Sequence, residues 1–440
     1  MKLAALLIAL ALLFGARDAS AQTLRIYHID VEQGDSTLFV TPSGRTLLVD
    51  SGNNGHGPRI ESVMKTAGVN QIDAFVATHY HSDHYGGIDD LVNAGISVLE
   101  SYDRGDKECC LSAKKKKEPT FIDYQTAVGE DAIHLTRGMT INLDPEVAIT
   151  CISSGGVVVG ETNPTPGQDE NDMSISLLIT FRGFRYFVGG DIEAATEAKI
   201  AAADLVTNLD VYQANHHGSH SSSSQPFMND LLPTVIVISN GNRVDYAHPR
   251  QVTLNTYAAL QPPPTVFQTN KYLAGGPLGG GNVPDAFIAD PETTDDDGTI
   301  LLTVNGAAST FTVSYGSTTR TFSVKAPAST PTPITAAVVI ESLLPNPAGD
   351  DEELEEVVLR NRGTTAISLV GWILRDRSGL TWTLAGTVNP GQSRTFVRSG
   401  QDMSLNNAGD EIALIDVAQV ERDRFEYQSS TEGTVIKTLH

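Results

Sequence analysis

Apolar runs of four to eight residues, each ending in a polar, glycine-rich turn, recur through the first 250 residues. Residues 24–31 alternate as a strand, 32–35 form a turn and 36–40 a second strand. Residues 46–50 follow as a third, ending in Ser51-Gly52-Asn53-Asn54-Gly55. The period changes at 59–67, which reads as a helix, and returns at 72–78, which reads as a buried strand; Gly86-Gly87 then opens a helix at Ile88. Strands are expected again at 132–135, 147–153, 174–180, 185–188, 209–214 and 234–239, with helices at 192–203 and 251–260. Strands alternating with helices, each delivering polar residues from its end, predict an α/β unit with its site at the strand ends.

The pattern changes after residue 275. Gly275–Gly281 and the acidic stretch 290–297 mark a boundary, and short alternating strands at 299–304, 310–315 and 320–324 predict a small β appendage over 276–326. The Pro-rich segment 327–333 predicts a stiff, extended linker. Beyond it, 334–430 shows strands and turns with almost no helix, and alternation around Trp372 predicts a β-sandwich with that indole in its core.

The N-terminus has Lys2, an apolar run from Leu3 to Gly15 and Ala19-Ser20-Ala21 before Gln22, the form of a secretory signal peptide over residues 1–21. The run is short for a bilayer span, so a secreted or periplasmic protein without an integral membrane span is expected after cleavage. The formal net charge of −23 excludes a general nucleic-acid binder, since phosphate backbones call for a basic footprint. The dense basic stretch is Lys114–Lys117, inside a polar loop at 101–120 expected to overhang the site. The three cysteines, Cys109, Cys110 and Cys151, lack a metal-like spacing, and a bridge from one of the adjacent pair to Cys151 is open in an oxidising compartment.

The chemistry concentrates in His79, His81, Asp83 and His84, three imidazoles and a carboxylate within six residues. Helical neighbours on one face are three or four apart, so these side chains splay from a loop at the end of the 72–78 strand. Imidazole nitrogen and carboxylate oxygen suit zinc, manganese or iron, and adjacent ligand pairs can serve two ions. Asp191 follows two glycines at a strand end, either as a ligand or as a helix N-cap. The strand at 209–214 ends in His216-His217-Gly218-Ser219, and the strand at 234–239 leads to Asn240, Asn242 and His248.

The string His79-x-His81-x-Asp83-His84 resembles the signature of the metallo-β-lactamase superfamily. Gln33-Gly34-Asp35-Ser36, Leu48-Val49-Asp50-Ser51-Gly52, Asn171-Asp172-Met173-Ser174 and His216-His217-Gly218-Ser219 are similar in particular to the hydrolase domains of bacterial DNA-uptake (competence) channel proteins. The resemblance implies an αββα sandwich over 22–275 holding two divalent ions, zinc or manganese. It places His79 and His81 on the first metal, Asp83 and His84 on the second, Asp191 between them, and His216 or His217 on the second. The other histidine of that pair, with His248 and Asp83, is left for catalysis or substrate contact. Asp35, Asp50, Asn171, Ser219 and Asn242 are expected to support the ligands or touch substrate. One departure is that no histidine stands between His134 and His216, where the superfamily supplies a third imidazole to the first metal.

Residues 334–430 resemble the lamin-tail domain, an immunoglobulin-like sandwich, through Asn346-Pro347-Ala348-Gly349, Gly371–Asp376 and Leu405–Asp410. That module carries no catalytic constellation and is expected to contact envelope or protein. The function these resemblances imply is hydrolysis of phosphodiesters in DNA or nucleotides by a metal-activated hydroxide. Hydrolysis of amide, lactone or thioester bonds would use the same ions. A non-catalytic, metal-stabilised adhesion protein is the alternative from a different class.

Overall fold

The computed structural model describes residues 23–105, 113–160, 169–203, 205–292, 298–306, 309–325, 338–349, 354–363, 365–416, 421–427 and 429–437. It divides into two compact units, Met1–Ala328 and Ser329–His440. The expected signal peptide, the Pro-rich linker and the Cys109-Cys110 pair lie outside the described residues. Cys151 is buried, with its thiol donating to the Ser153 carbonyl.

In the first unit, two large mixed sheets face each other. The first runs in the order Thr318–Ser323, Thr310–Tyr315, Ile300–Asn305, Thr23–His28, Thr37–Val40, Thr46–Val49, Gln71–Val76, Ser97–Asp103, Ile133–His134. The second runs Ile288–Asp290, Thr265–Asn270, Val235–Ile238, Val211–Gln213, Phe184–Val188, Ser176–Phe181, Val147–Ser154, Val157–Val158. Leu24, Ile26, Val49 and Val76 from one sheet pack against Ile149, Ile179, Tyr186 and Val237 from the other in a central core. The opposite face of the first sheet is covered by the helices Gly57–Ala67, Ile88–Asn93 and Pro119–Tyr124 through Ile60, Met64, Leu91 and Phe121. The opposite face of the second is covered by Ala194–Ala202, Gln225–Leu231 and Gln251–Ala258 through Ile200, Phe227, Met228 and Tyr257. The result is four layers, helix, sheet, sheet and helix.

The expectation of a separate appendage at 276–326 is corrected. Ile288–Asp290 closes the edge of the second sheet, and Ile300–Asn305 pairs antiparallel with Thr23–His28 along its whole length, Thr23 opposite Asn305 and His28 opposite Ile300. Leu302, Val304, Phe311 and Val313 are buried in the central core, so the first sheet lacks three of its strands without this segment. Strand alternation is legible over short stretches, but a partner almost three hundred residues away is not.

The second unit is all-β. One sheet has the order Ser393–Val397, Glu356–Asn361, Val338–Leu344, Ile436–Lys437, and another Thr381–Thr383, Ile373–Arg375, Asp410–Ile415, Glu421–Tyr427. Their shared core holds Ile340, Leu359, Leu374, Ile412 and Leu414. The buried indole is Trp382, at 3 % exposure, and not Trp372, which packs only partly against the same cluster. The reason is register: Trp382 lies opposite Leu374 on the inward face of a strand, whereas Trp372 precedes its strand in a turn.

Candidate metal centre

The site forms where the strand ends of both sheets meet. Gln71–Val76 delivers the Thr78–His84 loop, Thr46–Val49 delivers Asp50, Phe184–Val188 delivers Asp191 and Val211–Gln213 delivers His216 and His217. The chain is shaped for close approach at these points. Gly190 has φ +55°, and a Cβ there would stand 2.8 Å from Thr78, so glycine admits the backbone that carries Asp191. At Gly34 a Cβ would meet the Asp83 carbonyl at 2.6 Å; without one, the Asp35 N–H donates to that carbonyl. His216, His217 and Asp50 are non-glycine residues at φ 51°, 54° and 59°. Such left-handed residues cost of order 1–3 kcal/mol each and cluster at sites that need a particular side-chain direction. The His216 N–H donates to the Gly190 carbonyl and the Ser219 N–H to the His216 carbonyl, which holds the turn.

Donors gather on two sides of Asp191. On one side, His79 Nε2 lies 2.9 Å from His81 Nδ1 and 3.8 Å from Asp191 Oδ2, and His216 Nε2 lies 3.7 Å from the same oxygen. On the other, His84 Nε2 lies 3.3 Å from Asp191 Oδ1, and His217 Nε2 lies 3.7 Å from Asp191 Oδ1 and 3.6 Å from Asp83 Oδ2. Asp35 completes that second set, one of its oxygens lying within 4.8 Å of the His84, Asp191 and His217 donor atoms. Two groups of donors thus lie close enough to surround one ion each: His79, His81 and Asp191, and Asp35, His84, Asp191 and His217.

The residues fit divalent cations on an observation independent of resemblance. His84 Nε2, His217 Nε2, Asp35 Oδ2 and Asp191 Oδ1 are all buried and make no hydrogen bond. Buried polar atoms without partners cost of order 1–3 kcal/mol each, and here four face one another. Ligand atoms about 2.1 Å from a tetrahedral zinc stand about 3.4 Å apart, close to the 3.3 and 3.7 Å that separate His84 Nε2 and His217 Nε2 from Asp191 Oδ1.

The electrostatics agree. Burial works to lower the His217 pKa, but the neighbouring carboxylates of Asp191, Asp35 and Asp83 outweigh it and raise it to about 9. Burial opposes protonated His84 too, and Asp191, Asp50 and Asp83 still push its pKa well above the ordinary value. The carboxylates therefore impose a field that favours positive charge. Burial raises Asp35 to about 6 despite its neighbouring histidines. On the other side burial and the neighbouring His84 hold His79 well below the ordinary imidazole value, and burial and Lys115 lower His81, leaving both rings neutral.

Surrounding contacts aim the donor atoms. Asp50 accepts 2.8 Å hydrogen bonds from the Thr78 N–H, the Thr78 hydroxyl and His84 Nδ1, which leaves His84 Nε2 directed at Asp191. His217 Nδ1 bonds the Ser239 carbonyl at 3.2 Å, and His216 Nδ1 faces Glu193 and the Ser221 hydroxyl at 3.4 and 3.3 Å. Asn171 is buried beside Glu193. Arg104 is buried against Glu170 in a two-point ion pair, Nε to Oε1 at 2.9 Å and Nη2 to Oε2 at 2.8 Å. Its guanidinium stacks on Tyr80, and Glu170 also accepts the Tyr80 N–H, pinning the histidine loop from behind.

The structure brings His79, His81, Asp83, His84, Asp191, His216, His217 and Asp35 together, with Asp50 directly behind them. His248 joins the edge, its ring 5.5 Å from His216 and 6.0 Å from His217, and Gln33 Nε2 donates to its Nδ1. Four of the residues singled out from the sequence take these places. Asp35, expected as support, has an unbonded oxygen inside the donor set; its only local signal was the glycine before it. Asn242 is turned away, its side-chain oxygen accepting the Leu273 N–H, and Ser219 hydrogen-bonds Ser221 instead of facing the donors. His216 faces the His79 side, not the His84 side, because consecutive left-handed residues send the two rings to opposite oxygens of Asp191. Glu193, Thr78 and the Arg104–Glu170 pair carried no sequence signal, and Gln33 none beyond its place in the Gln33–Ser36 motif.

Comparison with known proteins agrees with this architecture. Residues 29–170 match the metallo-beta-lactamase superfamily, and residues 331–429 match the Lamin Tail Domain. The chain is 25 % identical over 252 residues to ComE operon protein 3 of Bacillus subtilis, which covers 51 % of this chain and 29 % of that protein. It is 25 % identical over 238 residues to Competence protein ComA of Neisseria gonorrhoeae, covering 52 % and 29 %, and over 230 residues to Recombination protein 2 of Haemophilus influenzae, covering 51 % and 25 %. The chain thus spans under a third of the length of these relatives. Among solved structures, a beta-lactamase from Chitinophaga pinensis aligns at 18 % identity and TM-score 0.30, covering 48 % of this chain and 84 % of that one. A class B3 di-zinc metallo-beta-lactamase from an Alaskan soil metagenome aligns at 15 % and 0.28, covering 42 % and 74 %. Residues 29–170 thus carry a metallo-beta-lactamase domain, and a lamin tail domain follows in the sequence at 331–429.

Proposed function

We propose that the first unit is a phosphodiesterase or nuclease acting on DNA or nucleotides with two divalent cations, zinc or manganese. The observation that carries this reading is the convergence of three buried, unbonded donor atoms, from Asp35, His84 and His217, on the unbonded Oδ1 of Asp191. The competence-type motifs, and relatives named for competence and recombination, favour a nucleic-acid or nucleotide substrate. In this assignment His79, His81, His216 and Asp191 would hold one ion. Asp35, Asp83, His84, His217 and Asp191 would hold the second. Cations there would supply Lewis-acid stabilisation of the charge that develops on the attacked phosphorus centre.

The chain's own residues do the rest. Asp50 and the Ser239 carbonyl keep protons on His84 Nδ1 and His217 Nδ1, so that both Nε2 lone pairs face inward. Asp83, partly open to solvent, orients the attacking water and takes its proton. Gln33 uses its oxygen on the Gly241 N–H, so its amide donates to His248 Nδ1 and the His248 proton sits on Nε2, free to bond a substrate oxygen. His216 on the His79 side supplies the imidazole missing between His134 and His216, which weakens the non-catalytic alternative.

Residues 1–21 support export to the periplasm or medium, and no described helix is long and apolar enough to cross a membrane. The lamin tail domain then contacts envelope or protein. The test is metal analysis with turnover of bis-p-nitrophenyl phosphate, plasmid DNA and a β-lactam by wild type, His81→Ala and Asp191→Ala. We expect diester cleavage that both substitutions abolish. Diester cleavage untouched by either, or β-lactam turnover alone, would refute the reading.

A further inference from the structure

A cavity of about 490 Å³ opens beside the second donor set, and Asp83 forms part of its wall. Arg243 and Tyr246 of the turn 243–247 also line it; in that turn the Arg243 carbonyl accepts the N–H groups of Tyr246 and Ala247. Tyr246 is 47 % exposed, unusual for an aromatic ring unless something covers it. Among the described residues the Arg243 guanidinium makes no hydrogen bond or ion pair, on a chain whose net charge is −23. The rings form a row from the donors outward, His217 to His248 at 6.0 Å and His248 to Tyr246 at 6.0 Å. Asn54 adds an amide group to the lining, beside Asn53, whose own amide is held by the Gln33 carbonyl and the Ser82 hydroxyl.

We infer that this cavity is a nucleoside subsite, in which Tyr246 stacks the base and Arg243 binds the adjoining phosphate of a substrate whose scissile group lies at the donor cluster. The inference rests on the phosphodiesterase reading and names where its substrate is recognised. The chemistry matches the parts. A flat π-face takes any base, guanidinium forks match phosphate oxygens, and amides meet base edges. The volume suits a mononucleotide-sized ligand. A sugar phosphate alone would use Arg243 and leave the exposed ring idle.

The experiment is titration calorimetry of the zinc-loaded full chain with thymidine 5′-monophosphate and with 2-deoxyribose 5-phosphate. Stacking one base on an aromatic ring predicts roughly tenfold or more tighter binding of the nucleotide. Tyr246→Ala brings the ratio to within about twofold, Tyr246→Trp keeps it, and Arg243→Ala weakens both ligands by a similar factor. A wild-type ratio near one, or an undiminished ratio in Tyr246→Ala, overturns the inference. Thermal melts of each variant check folding. A free nucleotide and a strand end share this chemistry; tighter binding of a thymidine tetranucleotide assigns the strand and equal binding the free nucleotide, and either supports the subsite. Turnover of bis-p-nitrophenyl phosphate by wild type separates the two claims. Turnover with a ratio of one sinks the subsite alone, and a ratio of ten without turnover sinks the diesterase reading alone.

Discussion

Asp50 touches no proposed ligand atom, yet the geometry makes it decisive for the second ion. Its Oδ1 accepts the Thr78 N–H, and its Oδ2 accepts both the Thr78 hydroxyl and His84 Nδ1, each at 2.8 Å. Asp50→Asn keeps the shape and replaces one oxygen by an NH2 group. If that group faces the Thr78 backbone, two donors oppose each other in a buried site, at a cost of about 1–3 kcal/mol. If it takes the Oδ2 position, the Thr78 hydroxyl can rotate to accept, but His84 Nδ1 must lose its proton. The tautomer flips, and Nε2 then points an N–H at Asp191 in place of a lone pair. Loss of such an orienting partner typically weakens metal binding by about 10–100-fold, or about 1.4–2.7 kcal/mol. Zinc titration against a chromophoric chelator should show one ion bound as in wild type and the other weakened by that factor, with diesterase activity falling alongside. The melting temperature of the metal-free protein should change little. Two ions bound with wild-type affinity in Asp50→Asn would refute the assignment of His84 Nε2 as a ligand and the route by which Asp50 acts.

Other outcomes follow from the same geometry. Removal of metal with a chelator should lower the melting temperature by about 5 °C or more, since ligand at a hundred times its Kd stabilises by about 2.7 kcal/mol; an unchanged melt would count against occupancy of the cluster. Arg104→Ala strands Glu170 and should cost about 3–5 kcal/mol in denaturant unfolding of the first unit, because one member of a two-point ion pair is left alone. Trp382→Ala should cost about 3–5 kcal/mol in the second unit, and Trp372→Ala clearly less, as read by urea titration of Trp fluorescence or circular dichroism. Equal effects would mean that the burial difference between the indoles does not govern stability.

Much of the molecule could be read along the chain because its signals are local. The six-residue cluster His79–His84 cannot lie on one helix face, and a glycine pair before Asp191 announces close approach whatever packs against it. The alternation of short strands with helices predicted an α/β unit, the resemblance of its motifs implied the helix, sheet, sheet and helix layers, and the turn-rich C-terminal quarter predicted a β-sandwich. Three features depended on residues far apart. Whether 288–323 stood alone or completed the sheets rested on the pairing of Ile300–Asn305 with Thr23–His28. The division of labour between His216 and His217 rested on backbone torsions held by the Gly190 carbonyl. The entry of Asp35 into the donor set rested on its approach to the Asp83 backbone. Residue type and spacing declare which chemistry a segment can offer, because propensity and periodicity act over a few residues. Which oxygen a ring faces, and which strand closes a sheet, follow from burying one large core between elements that meet only in the folded chain, and no short window of residues contains that constraint.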